Sequence, residues 1–163
     1  LYRAMKARGK TVDEVMRICI EAADDFFAGF PPAVLRLAGK LADGRLARNA
    51  MKNQADRSKA RRHPEDFVYE VREGGGDDLV LEFTECAVNK LYEAQQVEEL
   101  KPFCNFFDVV YSRRMGLGLD AHETIGQGCN VCRLRYKRGR ETRVPERLVS
   151  LLPPVQGDGK GSA

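Results

Sequence analysis

Tryptophan is absent from the 163 residues, so any aromatic pocket must be built from phenylalanine and tyrosine. Only two histidines, His63 and His122, are available as imidazole bases. The five cysteines, Cys19, Cys86, Cys104, Cys129 and Cys132, are odd in number and irregular in spacing. That pattern argues against a secreted disulfide scaffold and for free thiols in a reducing cytoplasm. No apolar run approaches the roughly 20 residues that a membrane helix needs, so no membrane partner is expected. No charged-then-apolar leader is visible at the start either. A net charge of +3 is too small to imply nucleic acid, and no recognisable nucleic-acid module is present.

A hydrophobic content of 43% with 31% charged residues describes an ordinary globular chain. Its length suits one domain with a real core. Charge is uneven along it. Between Arg36 and Arg62 nine basic residues face only Asp43 and Asp56. A solvated helical face explains such a run, and a surface for an anionic partner or a complementary second subunit is the sharper reading. A homodimer is therefore among the expectations.

Thr11 with Glu14 has the form of a capping box, followed by apolar residues at helical spacing from Val12 to Phe26. Pro31-Pro32 stops that helix and opens a second, through Leu35 and Leu46 towards Arg62, weakened by Gly39 and Gly44. His63-Pro64 ends it. The period then becomes two. Phe67, Tyr69 and Val71, the Gly74–Asp78 turn, and Leu79, Leu81 and Phe83 predict a β-hairpin. Short and long helices are predicted over 85–95 and 97–115. Two further strands, 122–127 and 131–137, are joined through Gly128-Cys129-Asn130.

This order predicts an α+β fold: N-terminal helices, then two β-hairpins separated by helices, forming an antiparallel sheet with helices packed on one face. Residues 1–139 are expected to be one domain, with 1–62 helical and 63–139 bearing sheet and site. Residues 140–163, rich in proline and glycine, are expected to be a flexible tail.

The chemistry concentrates at the cysteines. Cys104, Asp108 and Tyr111 share one face of the predicted long helix. Alternation turns Cys132 inward and Arg133 and Arg135 outward. Cys86 opens the short helix, where exposed amides favour a thiolate. Cysteine is also among the most buried residue types, so packing alone accounts for any one of them. Cys129-Asn-Val-Cys132 lies in a strand turn rather than at a helix start, and no second pair completes a zinc ribbon. A metal set of Cys104, Cys129 and Cys132 with Glu123 or His122 is conceivable on these residues. His122 is a candidate base or substrate contact, and because it alternates with Glu123 only one of the two can face the site.

The run Arg61-Arg62-His63-Pro64-Glu65-Asp66-Phe67 and Thr84-Glu85-Cys86 occur in order with Cys104 and Asp108. Met115-Gly116-Leu117-Gly118-Leu119 and Gly128 … Cys132-Arg133-Leu134-Arg135-Tyr136 complete the set. In these the chain resembles the L-2-amino-thiazoline-4-carboxylic acid hydrolase family. The resemblance implies a hydrolase acting on a cyclic amidine or C–N bond, opening 2-aminothiazoline-4-carboxylate to a carbamoyl-cysteine. It implies a site drawn from Cys86, Cys104, Asp108 and Cys132, a small-molecule substrate and no required cofactor. Tyr111, His122 and Arg135 are the candidate substrate contacts. The last two strands are also similar to 4-vinyl reductase-type ligand-binding domains, through Glu123 and Gly128 … Cys132. That likeness implies the alternative, a sensor-like small-molecule-binding domain with structural or zinc-bound cysteines and no turnover.

Overall fold

The computed structural model describes residues 1–74 and 78–154. The predicted turn residues Gly75, Gly76 and Asp77, and the glycine-rich end from Val155 onward, lie outside the described residues. Four α-helices come first: α1 (Tyr2–Lys6), α2 (Val12–Ala28), α3 (Pro32–Ala42) and α4 (Arg45–Ser58). The capping box is formed. Thr11 Oγ1 accepts the Glu14 amide at 3.2 Å, and the Thr11 amide donates to the Glu14 carboxylate at 2.8 Å. The second helical stretch is two helices, broken at Asp43-Gly44. Gly39, inside α3, is there for contact: a β-carbon would collide with the Met115 carbonyl on a crossing helix.

Next come β1 (Val68–Glu73), β2 (Leu79–Glu85) and α5 (Ala87–Ala94). A 3-10 helix over Glu98–Phe103, α6 (Phe106–Met115), β3 (Leu119–Glu123) and β4 (Cys132–Tyr136) follow, with α7 (Glu146–Val149) last. The predicted long helix over 97–115 is therefore two pieces. Cys104 and Asn105 form the joint, and Pro102 sits in the 3-10 turn. The sheet is antiparallel in the order β1-β2-β4-β3.

The two faces of the sheet differ because side chains alternate along each strand. Phe83 lies opposite Cys132, Leu81 opposite Leu134, and Leu79 opposite Tyr136, all towards the helices. With Met16, Ile20, Phe103, Val110 and Leu119 these strands enclose the core. The other face is a ladder of ion pairs. Glu82 accepts from Arg72 and Arg133 at 2.9 Å each, Arg133 also pairs with Glu123, and Arg143 reaches Asp120 at 3.1 Å.

Part of the segment after β4 packs against the domain. The Arg143 amide donates to the Leu119 carbonyl at 2.8 Å, and Leu148 and Leu151 are buried in the core at 1% and 3% exposure. Their apolar side chains carry the segment inward, which its prolines conceal in the sequence. Among the described residues no helix is long and apolar enough to cross a membrane.

Candidate active site

Three elements bring three thiols together. Cys86 is the residue just before α5, placed where β2 turns into that helix. Cys104 sits at the joint between the 3-10 helix and α6, and Cys132 is the first residue of β4. The three sulfurs hydrogen-bond among themselves. Cys132 Sγ also accepts the Ile125 amide at 3.2 Å. Gly126 makes room for the group: a β-carbon there would strike the Lys101 carbonyl and come within 3.1 Å of Cys104 Sγ.

Protons are shared unequally within the cluster. Hydrogen bonds from Cys104 and then Cys132 stabilise a thiolate on Cys86, with the amides of Asn89 and Val88 adding to them, and the Cys86 thiol falls to about 3 against the opposing effect of burial. Cys104 moves the other way, raised by its bonds to Cys132 and Cys86 and then by burial. Cys132 is drawn down by Cys104 but pushed up more by Cys86 and by burial, to about 11. One negative charge on Cys86, held by two neutral thiols, is the arrangement these influences favour.

Cys104 and Cys132 line a cavity of about 190 Å³ together with Phe67, Phe83, Asp108 and Thr124 among others, and Cys86 touches it only through these two thiols. Burial raises the Asp108 carboxyl to about 6, opposed by a hydrogen bond from Tyr111 and reinforced by the charge on Cys86. Tyr111 Oη donates to Asp108 Oδ1 at 3.0 Å and lies 2.7 Å from the hydroxyl of Tyr136. Burial raises both tyrosines, so both stay protonated as hydrogen-bonding hydroxyls. Tyr111 lines a separate cavity with Tyr136 and Leu81, and so stands behind Asp108 rather than beside the thiols.

The remaining candidates lie elsewhere. His122, Glu123 and Arg135 line a cleft on the ion-paired face of the sheet, opposite the thiols. A bulge between Asp120 and Glu123 interrupts alternation, and this exposes both His122 and Glu123 where strict alternation would turn one inward. His122 Nδ1 is 2.7 Å from Asp120 Oδ1. Cys129 is exposed in the turn before β4. The proposed metal set of Cys104, Glu123, Cys129 and Cys132 is thus not gathered, since Glu123 is engaged by Arg133 across the sheet. Among the described residues no group of three or more histidine, cysteine, aspartate or glutamate side chains has the arrangement to hold a metal ion.

Several residues of the site are not among the sequence candidates. Thr124 lines the cavity at 1% exposure, and buried Asn105 donates to the Ala121 carbonyl at 3.0 Å. Asn89, one turn into α5 from Cys86, is 4% exposed, and its side-chain amide has no hydrogen-bond partner among the described residues. The signal available in the sequence is a short polar residue set among apolar ones, as in Phe103-Cys104-Asn105-Phe106.

An α+β domain with a thiol cluster beside a protonatable carboxyl defines a class able to carry out thiol chemistry on a small molecule. The chain belongs to the L-2-amino-thiazoline-4-carboxylic acid hydrolase family, whose model matches residues 1–136. Membership points to a ring-opening hydrolase with a small-molecule substrate. No curated protein and no solved structure gave a match.

Proposed function

We propose that this chain opens a cyclic amidine by covalent catalysis, with Cys86 as nucleophile and Asp108 as the acid. The observation that carries this reading is the convergence of Cys86, Cys104 and Cys132 next to the Asp108 cavity. The Cys86 thiolate adds to the amidine carbon, forming a carbon–sulfur bond while the carbon–nitrogen π pair moves to nitrogen. Asp108 supplies the proton that nitrogen takes up. The tetrahedral adduct then expels its ring heteroatom, which leaves with its bonding pair and a proton. Water adds to the enzyme-bound carbon, Cys86 departs as thiolate, and a carbamoyl product remains. The net change is the addition of one water. No cofactor takes part in these steps.

Tyr111 and Tyr136 act behind Asp108, holding its carboxyl in one orientation. The test is incubation of the full chain with 2-aminothiazoline-4-carboxylate and related cyclic amidines, with products read by mass spectrometry. Turnover is expected, together with a loss on the order of 1,000-fold or more in C86S. Undiminished turnover in C86S would refute the covalent step. Ligand binding without turnover in the parent protein would favour the sensor-like alternative.

A further inference from the structure

A larger cavity, of about 670 Å³, lies between the end of α4 and the helix-facing side of β1 and β2. Phe67 and Phe83 line both it and the thiol cavity, so the two share a wall. Those two rings meet edge to face with centroids 5.6 Å apart. The floor of the larger cavity is apolar, with Tyr69 stacked on Phe83 and Leu81 beside them. Its rim is cationic, carrying Arg57, Arg61 and Arg62.

These cations are not equally committed. Arg61 pairs with Glu85 at 2.6 Å. Asp66, the acid in the lining, accepts the Phe67 amide at 2.8 Å. Arg57 and Arg62 have no acidic partner among the described residues. The rim is also tied to the nucleophile. Lys90 Nζ donates to the carbonyls of Pro64 and Asp66 at 2.5 and 3.0 Å and to Glu85 at 2.6 Å, and Glu85 directly precedes Cys86. A left-handed turn at Arg61, φ 46°, sets the path of this loop.

A groove with an apolar floor and two unpaired guanidinium groups suits a ligand with an apolar body and an anionic head, because the planar fork of arginine matches a carboxylate. Its volume falls in the range of about 300–1,000 Å³ typical of whole-ligand sites, whereas the thiol cavity admits only a small ring. We propose that this groove is a substrate subsite: the substrate is a carboxylate-bearing amidine larger than a bare ring, its electrophilic carbon entering the thiol cavity and its carboxylate resting on Arg57 and Arg62. The assignment of the reacting end rests on the hydrolase reading above. The carboxylate subsite is testable apart from it.

The test is calorimetric binding of 4-phenylbutyrate and its neutral amide to the full chain. The carboxylate is expected to bind at least tenfold more tightly than the amide, and R57Q/R62Q is expected to erase that preference. C86S and the remote R8Q should retain it. Both arginines are exposed, so the double variant should keep the parent melting temperature. Equal binding of acid and amide, binding of neither, or a preference that survives R57Q/R62Q would overturn the subsite. So would its loss in R8Q, which would mark a general charge effect. An intact preference without turnover of any amidine would instead count against the hydrolase reading alone.

Discussion

Tyr111 and Asp108, three residues apart on α6, are joined by a hydrogen bond of 3.0 Å from the phenol to the carboxylate. This bond favours the ionised carboxyl, yet burial outweighs it and the group rises to about 6 from an ordinary 3.8. The folded protein therefore holds the Asp108 proton more tightly than the unfolded chain does. Its contribution to stability is fully present below about pH 4 and is lost as pH rises through 6. D108N should accordingly be more stable than the parent at pH 7, by on the order of 1–3 kcal/mol, in urea unfolding. In turnover assays the parent should lose activity above pH 6 as the acid ionises. D108N should be slower at every pH and lack that limb.

In the proposed reaction Cys104 and Cys132 act through the charge they stabilise on Cys86. Removing either donor in C104A or C132A should raise the Cys86 thiol from about 3 to about 7 or above, and so reduce its alkylation at pH 6 by about tenfold or more. At pH 10, where an ordinary thiol is also ionised, the variants should approach the parent rate. Rates for both, measured with iodoacetamide and mapped by peptide mass, check this.

Gly126 sets how closely the segment before β4 approaches the 3-10 helix. G126A must push back the Lys101 carbonyl and crowd Cys104 Sγ. A destabilisation of about 1–3 kcal/mol is expected, with weaker protection of the thiol cluster in hydrogen exchange.

Much of this fold follows from local pattern. Thr11 and Glu14 announce a helix start, and alternation in Cys132-Arg133-Leu134-Arg135-Tyr136 correctly sends the sulfur inward and both arginines outward. What escapes the sequence depends on tertiary contacts. The bulge that exposes His122 and Glu123 together comes from how β3 meets β4, and one inserted residue is invisible to a period of two. The joint at Cys104-Asn105 interrupts a continuous helical pattern, and this takes Cys104 off α6. The approach of Cys86 to the other two thiols needs three segments far apart in sequence.

The packing of Leu148 and Leu151 is the plainest case of such a tertiary effect. Leu148, at 1% exposure, fills core volume that local pattern leaves unassigned. L148A should cost roughly 2–5 kcal/mol in unfolding experiments, the range for a buried leucine truncated to a cavity. A cost below about 0.5 kcal/mol would mean that the segment does not pack there.

The most direct test of the central claim is the pH dependence of Cys86 alkylation in the parent protein, followed residue by residue between pH 4 and 9. Cys86 should react first, at a rate nearly independent of pH above about 5, because its thiolate is already formed. A Cys86 rate that climbs tenfold per pH unit towards about 8.5, as for an ordinary thiol, would contradict the assignment of Cys86 as the nucleophile.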